Sequence, residues 1–266
     1  MKAYTDISVI YKDGNKIQSL SMSLIGEEPL SIRIDGKPYS VVMRTPGDEL
    51  AHVAGFCLTE GIADTPEDIT ALACCDGSDG NVVTITLTEK QRLKIAGHLD
   101  RRNYISQTSC GICGKELIED ISMVIQPVHD DTRFHIAGVL SCLEEFSRHQ
   151  PLRRKTRATH AALIIDTDTN VLSSAEDVGR HNAVDKAIGK LFLNRSLSHA
   201  KGLVLSSRIS YELVQKAARA GIPMIFAVSR PTSLAVALAT QLDMTLVCLA
   251  PETGLYIFCG EQRLIA

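Results

Sequence analysis

Hydrophobic and polar residues alternate along the first 45 residues, a pattern that is typical of β-strands with one buried face. Turn signals interrupt this alternation at 12–15 and at 34–37. The second signal contains the pair Asp35-Gly36, which lies between the apolar segments 30–34 and 39–43. An Asp-Gly pair between two such segments predicts a β-hairpin.

The periodicity becomes helical after residue 45 and then changes between strands and helices up to residue 148. Pro46-Gly47-Asp48 indicates the start of a helix, and Gly61 indicates its end. The predicted elements of this half are a helix at 45–60, strands at 70–75 and 82–87, and helices at 88–98, near 115 and at 136–148. Residues 99–114 are the least regular stretch of the chain.

Short apolar strands alternate with helices over the last 110 residues. The predicted elements are strands at 160–166 and 171–174, a helix at 181–193, a strand at 203–206, a helix at 211–220, a strand at 224–228, a helix at 232–241, and strands at 245–249 and 255–259. This alternation predicts an α/β fold with a mainly parallel sheet that is covered by helices. We expect the last strand to lie at an edge of that sheet.

Composition and charge exclude several classes of protein. Charged residues make up 22% and hydrophobic residues 45% of the 266 residues, which is ordinary for a globular chain and excludes general disorder. The net charge of −3 and the aromatic content of 5%, with no Trp, argue against nucleic-acid binding. The first residues lack the apolar core of a secretory signal, and no run of 18 apolar residues exists. We therefore expect a cytoplasmic protein with no membrane segment.

A cytoplasmic location changes what the eight cysteines indicate, because disulfides are rare in a reducing compartment. Cys110 and Cys113 stand at CxxC spacing in a Gly-rich loop before a predicted helix, whose N-terminal amides would lower a thiol pKa. Four interpretations remain open for this pair: half of a zinc site, a dithiol–disulfide redox pair, a sulfur relay, or two incidental cysteines. The cysteines that we expect to be buried by packing are Cys57, Cys74, Cys75, Cys142, Cys248 and Cys259.

Three predicted strand-to-helix turns carry polar side chains that suit an anion. In the first turn Gly179 allows a tight bend, and the residues after it place donors at a helix N-terminus. The candidate side chains are Arg180 and His181 in the first turn, Arg208 in the second, and Thr232 and Ser233 in the third. Because ligands bind at the carboxyl ends of strands in α/β sheets, the three turns together predict one pocket for a large polyanion such as a nucleotide.

A basic cluster, Arg153-Arg154-Lys155-Thr156-Arg157, adds positive charge to this predicted pocket. The alternative is ordinary helix capping in the three turns, with the basic cluster as a solvated loop. Zinc nucleobase deaminases carry H-x-E followed by P-C-x-x-C. Here His160-Ala161-Ala162 lacks the Glu and Ser109 replaces the Pro, so deamination is not supported.

Several segments of the chain resemble the formate dehydrogenase accessory sulfurtransferase family, FdhD/NarQ. The run Glu176–Lys186, which reads EDVGRHNAVDK, is the most specific of these segments, whereas a CxxC motif alone is not. The other matching segments are Glu28-Pro29-Leu30, Met43–Asp48, Thr59-Glu60-Gly61, Thr108–Gly114, Lys216–Pro223 and Pro231–Val236. They occur in the right order and span most of the chain.

The resemblance implies a fold and an assembly. The fold is a cytidine-deaminase-like three-layer domain at 126–266, preceded by a smaller N-terminal α+β part at 1–125 that ends in the CxxC loop. The resemblance also implies a homodimer without a permanently bound metal.

The activity that the resemblance implies is sulfur transfer. The family accepts sulfur from a cysteine desulfurase as a persulfide and passes it to the molybdenum or tungsten of a bis-guanine-dinucleotide pterin cofactor, which then serves formate dehydrogenase. By motif position, Cys110 would carry the persulfide and Cys113 would assist. The cofactor-binding residues implied near the C-terminus are Leu249, Ala250, Pro251, Glu252, Thr253 and Gly254.

The sequence departs from the family pattern at three places. Arg157-Ala158 stands where the family often has Gly-Gly, Ser207 stands where Gly is common, and Pro251-Glu252 is atypical. Glycines at such positions let the backbone approach phosphates closely, so we expect these departures to affect how the cofactor lies. Two alternatives remain open. One is a cofactor-binding carrier whose CxxC pair is structural or regulatory, and the other is a zinc-dependent hydrolase on a deaminase-like fold.

Overall fold

The computed structural model describes residues 2–74, 80–102, 125–251 and 254–266. The strands are β1 (Tyr4–Asp13), β2 (Lys16–Ile25), β3 (Glu28–Ile34), β4 (Lys37–Arg44), β5 (Ile69–Cys74), β6 (Val82–Leu87), β7 (Phe134–His135), β8 (His160–Ile165), β9 (Val171–Asp177), β10 (Gly202–Leu205), β11 (Met224–Ala227), β12 (Thr245–Leu249), β13 (Leu255–Cys259) and β14 (Leu264–Ile265). The helices are α1 (Glu49–Thr59), α2 (Glu89–Arg102), α3 (Ile136–Glu145), α4 (Pro151–Thr156), α5 (Arg180–Leu193), α6 (Tyr211–Arg219) and α7 (Ser233–Gln241). The helix predicted near residue 115 lies outside the described residues.

The N-terminal strands form two separate sheets. β1 and β2 pair as an antiparallel ribbon, and β3 to β6 form a four-stranded sheet in the order β4-β3-β6-β5. Asp35 and Gly36 join β3 to β4 with φ angles of 48° and 79°, the left-handed backbone that a tight hairpin turn requires. The predicted β3–β4 hairpin is therefore confirmed, and the strands predicted at 70–75 and 82–87 pair with each other in antiparallel as β5 and β6.

The C-terminal strands form one six-stranded sheet in the order β13-β12-β11-β10-β8-β9. β10, β11 and β12 pair in parallel, whereas β8 is antiparallel to both β9 and β10, and β13 is antiparallel to β12. The α/β class and the edge position of β13 are confirmed, but the prediction of a mainly parallel sheet is wrong. The sheet is mixed because β8 and β9 form a hairpin, and the chain then returns through α5 to place β10 on the other side of β8.

Apolar residues cover both faces of this sheet. One face packs against α3 through a cluster that includes Phe134, Leu143 and Phe226. The other face packs against α5, α6 and α7, and the same core continues through α1 to the inner face of the four-stranded sheet. Helices thus lie on both sides of the mixed sheet, while the cytidine-deaminase-like layering stays a prediction. Among the described helices, none is long and apolar enough to cross a membrane.

The N-terminal part joins the C-terminal sheet through a close crossing of α1 and α5. A Cβ atom added to Gly189 would lie 1.8 Å from the carbonyl oxygen of Ala51, and one added to Gly55 would lie 1.9 Å from that of Asp185. The two helices therefore touch backbone to backbone, which only glycine permits at these positions. This contact joins residues of the predicted N-terminal part, 1–125, to residues of the predicted C-terminal domain, 126–266. The boundary between these two parts stays a prediction.

Candidate functional site

The carboxyl ends of four strands meet at one edge of the six-stranded sheet. β10, β11 and β12 run in the same direction, and β9 shares it because both β9 and β10 are antiparallel to β8. The predicted binding residues that follow these strands are Arg180 and His181 after β9, Arg208 after β10, Thr232 and Ser233 after β11, and Leu249, Ala250, Pro251 and Gly254 around the end of β12. The structure thus brings these residues to one edge, and their role in binding stays a prediction. Glu252, Thr253, Cys110 and Cys113 lie outside the described residues.

Backbone hydrogen bonds tie the neighbouring turns together. The Thr232 amide donates to the carbonyl of Ile209 at 3.0 Å, which links the turn after β11 to the turn after β10. The Cys248 thiol donates to the carbonyl of Ser229 at 2.9 Å, which links β12 to the turn after β11. The Thr232 hydroxyl accepts a hydrogen bond from the Ala235 amide at 3.2 Å. Thr232 is therefore a helix cap, as the alternative interpretation expected, and both Thr232 and Ser233 are exposed residues.

The turn between β9 and α5 is fixed by the buried carboxylate of Asp177. One oxygen accepts hydrogen bonds from the Gly179 amide at 2.8 Å and the Asn182 side chain at 2.9 Å. The other oxygen accepts from the Thr45 amide at 3.0 Å and lies 2.7 Å from the Lys186 ammonium. Because this carboxylate is surrounded by four donors, the turn that carries Arg180 and His181 is rigid.

The polar residues of Glu176–Lys186 therefore divide into two groups. Asn182 and Lys186 point inward, where they donate to the carbonyls of Met43 at 2.8 Å and Thr45 at 2.7 Å and so anchor the N-terminal part. Arg180 and His181 remain partly exposed at the sheet edge. Sequence analysis missed the anchoring role, although the spacing of 182 and 186 places both side chains on one helix face.

His181 is paired with Glu212, which lies in the first turn of α6. Its Nε2 atom lies 2.5 Å from a carboxylate oxygen of Glu212. The hydrogen bond from His181 and the positive charges nearby lower the pKa of Glu212, against the opposing effect of burial. Sequence analysis did not single out Glu212, because the contact joins two helices that are distant in sequence.

A second histidine, His160, stands at the start of β8 between the turns after β9 and β10. Burial lowers the pKa of His160, and the positive charges of Arg180, Arg153 and His181 lower it further. The imidazole is therefore neutral near pH 7. The Asp177 carboxylate opposes this effect, but the cationic groups outweigh it at His160.

Buried donors without a hydrogen-bond partner lie in the same two turns. The Nε atom of Arg180 and the hydroxyls of Ser210 and Tyr211 are buried and make no hydrogen bond within the part of the chain that the structure describes. A buried polar group that is left unpaired costs about 1–3 kcal/mol, so such groups are uncommon in the absence of a function.

The basic cluster contributes less to this edge than the sequence predicted. It forms the helix α4 rather than a loop, and Glu176 accepts hydrogen bonds from the Leu152 and Arg153 amides at its start. The Arg154 guanidinium donates to the Ser147 carbonyl at 2.8 Å, and the Lys155 ammonium lies 3.6 Å from the centre of the Tyr4 ring. These two cations are held by local contacts, and the Arg153 guanidinium donates to the carbonyl of Thr159, the residue before His160, at 2.9 Å.

Two departures from the family pattern differ in their structural cost. Arg157 ends α4 with a φ of 58°, in the left-handed region that glycine adopts freely. Ser207 does not have a positive φ, so a side chain fits there without backbone strain. The structure thus explains why glycine suits the position of Arg157, and it shows no such need at Ser207.

Four of the described cysteines are poor nucleophiles because burial raises their pKa values. Burial raises the pKa of the Cys248 thiol to about 12 and raises the pKa of Cys57 even further. Cys142 and Cys259 are half-buried and also have raised pKa values. The packing prediction fails for Cys74, which is exposed at the end of β5, and Cys75 lies outside the described residues. Among the described residues no group of His, Cys, Asp and Glu side chains could hold a metal ion.

Comparison with known proteins assigns the chain to a family. Residues 25–265 match the model of the FdhD/NarQ family. The chain belongs to this family. It is 36% identical over 251 residues to the sulfur carrier protein FdhD of Streptomyces coelicolor, a match that covers 91% of this chain and 88% of that protein. It is 37% identical to the sulfur carrier protein FdhD of Mycolicibacterium paratuberculosis, over 91% of this chain and 92% of that protein.

A solved structure agrees with the fold. The crystal structure of a protein from Desulfotalea psychrophila, assigned as a formate dehydrogenase accessory protein, superimposes with a TM-score of 0.79. The superposition covers 99% of this chain and 100% of that one at 23% identity. This similarity supports the described architecture of this FdhD/NarQ member, including its mixed sheet.

Proposed function

We propose that this member of the FdhD/NarQ family is a sulfur carrier that serves formate dehydrogenase. A cysteine desulfurase supplies the sulfur as a persulfide on Cys110, and Cys113 assists its release. The acceptor is the molybdenum or tungsten of a bis-guanine-dinucleotide pterin cofactor, which is bound as cargo. The observation that carries the binding part is the convergence of cations and unpaired donors at the carboxyl edge of the sheet, and the names of the relatives support the sulfur-carrying part.

The first step is a thiol–persulfide exchange. The Cys110 thiolate attacks the outer sulfur of the desulfurase persulfide, a new S–S bond forms on Cys110, and the S–S bond of the donor breaks. The donor cysteine leaves as a thiolate and takes up a proton. Four described cysteines are disfavoured as replacements for Cys110 in this step, because burial raises their pKa values and so keeps them protonated; they are Cys57, Cys142, Cys248 and Cys259.

The second step delivers sulfur to the metal of the cargo. The Cys113 thiolate attacks the inner sulfur of the Cys110 persulfide, which forms a Cys110–Cys113 disulfide and releases the outer sulfur at the oxidation level of sulfide. The sulfide replaces an oxygen ligand of the metal, which leaves as water. A thiol reductant then restores the two cysteines, so that atoms and electrons balance over the cycle.

The sheet edge would hold the diphosphate groups of the cargo. Arg180 and Arg153 supply fixed positive charge, and His181 supplies a donor whose orientation is set by Glu212. The hydroxyls of Ser210 and Tyr211 would gain the hydrogen bonds that they lack. Ala250 and Pro251 follow β12 at the same edge.

A Cys110→Ala variant tests the catalytic part of the proposal against the carrier alternative. We expect loss of formate dehydrogenase activation in cells and unchanged binding of GDP to the purified protein. Full activation by the variant would favour a carrier whose CxxC pair does not react. Absence of GDP binding in the wild-type protein would instead contradict the assignment of the sheet edge as the cargo site.

A further inference from the structure

Thr45 connects the four-stranded N-terminal sheet to the turn between β9 and α5. It directly follows Arg44, the last residue of β4, and is only 1% exposed. Its amide donates to the Asp177 carboxylate at 3.0 Å, and its hydroxyl accepts from the Val178 amide at 3.0 Å. Its carbonyl accepts from the Lys186 ammonium at 2.7 Å. The amide, the hydroxyl and the carbonyl of Thr45 are thus all bonded to residues that flank this one turn.

The hydroxyl is the part of this contact that depends on the side chain at position 45. Every residue except proline supplies the amide and the carbonyl, whereas the acceptor for the Val178 amide is the side-chain oxygen of Thr45. Valine has nearly the shape of threonine but no such oxygen, so it would leave the Val178 amide without this partner. Val178 stands two residues before Arg180 and three before His181, so its position sets how the chain enters α5.

The segment that carries Thr45 is itself fixed by further contacts. The side chain of Arg44 is fully buried and lies 3.1 Å from the Glu49 carboxylate. The Met43 carbonyl accepts a hydrogen bond from the Asn182 side chain at 2.8 Å, one turn into α5. Because the segment is held on both sides of Thr45, it acts as a rigid support for the turn rather than as a loop that follows it.

We propose that Thr45 is a positioning residue of the cargo site, because it sets the turn that presents Arg180 and His181 at the sheet edge. The inference rests on the proposed function, in which these two side chains bind the diphosphate groups of the cargo. Hydrogen bonds weaken steeply when donor and acceptor are misaligned, so a loosened turn binds diphosphate less tightly although no contacting residue has changed. This role also accounts for the segment Met43–Asp48, which matches the family pattern but holds none of the predicted site residues.

Titration of the purified full chain tests the role of the hydroxyl. The ligands are GDP and inorganic pyrophosphate, which presents the diphosphate group alone. We expect Thr45→Val to raise the dissociation constants of both ligands about 10-fold, which corresponds to one lost charge-assisted hydrogen bond. Thr45→Ser keeps the acceptor oxygen, so its dissociation constants should stay within about twofold of the wild-type values.

Thr245→Val is the matched control for loss of a buried threonine hydroxyl. Thr245 is fully buried, and its hydroxyl donates to the Gly260 carbonyl at 2.9 Å. It begins β12, so it lies at the edge of the sheet opposite to the cargo site. We expect both valine variants to lower the urea midpoint, since each leaves a backbone group without its partner, and only Thr45→Val to weaken binding.

Hydrogen exchange of the wild-type chain tests the same coupling without a substitution. If the contact at Thr45 favours binding, then binding must favour the contact by the same factor. We therefore expect saturating GDP to slow amide exchange in the peptide that spans 43–48. Peptides from α3, which packs on the other face of the six-stranded sheet from α5, should keep their exchange rates.

Each contrary result overturns the proposal. If Thr45→Val bound GDP as tightly as the wild type, the hydroxyl would not set the turn. Equal weakening in Thr245→Val would reduce the effect to lost stability, and weakening in Thr45→Ser would assign it to the methyl group. Loss of GDP affinity with unchanged pyrophosphate affinity would place the effect away from the diphosphate contacts.

The exchange measurement decides the question if Thr45→Val does not fold. Unchanged exchange at 43–48 on addition of GDP would show that binding and the Thr45 contact are independent. A wild-type protein that binds neither GDP nor pyrophosphate would contradict the cargo site itself, and this inference with it. A wild-type protein that binds both ligands, with binding unaffected by Thr45→Val, would leave the proposed function standing and refute only the role of Thr45.

Discussion

The backbone contact between α1 and α5 gives a sharp prediction for Gly189→Ala. The new methyl group would lie 1.8 Å from the Ala51 carbonyl oxygen, whereas ordinary contact begins at 3.4 Å. The helices must therefore separate by up to about 1.6 Å, since the clash is with backbone that cannot rotate away. The separation would open space around neighbouring side chains of the core.

The magnitude follows from two opposing effects. Overpacking of a core costs about 1–3 kcal/mol, and a clash with backbone belongs at the upper end of that range. Replacing Gly by Ala inside a helix gains about 1 kcal/mol of helix propensity. We therefore expect Gly189→Ala to lower the free energy of unfolding by ~2 kcal/mol. With an m-value of ~3 kcal/mol per molar urea, the midpoint falls by ~0.7 M.

Gly138→Ala is the matched control, because Gly138 also lies inside a helix, α3. A methyl group there would meet only the Thr169 side chain, at 3.3 Å, which can shift by the small amount needed. We expect this variant to be ~0.5–1 kcal/mol more stable than the wild type. Urea unfolding of the two variants side by side decides the matter. If Gly189→Ala proved as stable as Gly138→Ala, the helices would not be in backbone contact.

Three further predictions concern buried or paired groups. The Lys216 ammonium lies 2.9 Å from the buried Asp185 carboxylate, so Lys216→Met should lower the free energy of unfolding in urea by ~3–5 kcal/mol. The double variant Lys216→Met/Asp185→Asn should lose less stability than the sum of the two single variants. Additive losses would contradict the pairing. The pKa of about 12 keeps the Cys248 thiol protonated, so N-ethylmaleimide at pH 8 should label it only after the protein is unfolded. Peptide mass spectrometry that finds Cys248 labelled in the folded protein would refute this. The hydrogen bond from His181 is the main cause of the lowered pKa of Glu212. The Glu212 carboxylate therefore stabilises the folded state at pH values above its unfolded pKa of ~4.3. This stabilisation is lost as the pH falls through the lower pKa of the folded state. Glu212→Gln should therefore lose stability at pH 7 and show a weaker acid dependence in urea unfolding; identical acid profiles would argue against the pair.

Features that depend on near neighbours were predicted well from the sequence. The Asp35-Gly36 turn, the end of α1 near Gly61 and the short apolar strand β12 all follow from residues within a few positions of one another. The direction of β8 relative to β10 does not, because it depends on how the chain returns after α5. The same alternating pattern fits a strand with parallel or antiparallel neighbours, so the mixed sheet was not predictable in this way.

The candidate site was predicted in outline but not in detail. The convergence of three turns follows from the general rule for strand ends, and the structure places Arg180, His181 and Arg208 accordingly. The inward orientation of Lys186 depends on Thr45, which is 141 positions away in the chain. The pairing of His181 with Glu212 likewise needs the packing of α5 against α6. Long-range contacts of this kind leave no local signal in a single sequence.

The most direct test of the proposed function is mass spectrometry of the chain after incubation with a cysteine desulfurase and cysteine. The proposal predicts a gain of one sulfur atom on the peptide that contains Cys110 and Cys113, removable by a thiol reductant and absent in Cys110→Ala. A desulfurase that is shown to be active but leaves this peptide unchanged would contradict the sulfur-carrier assignment.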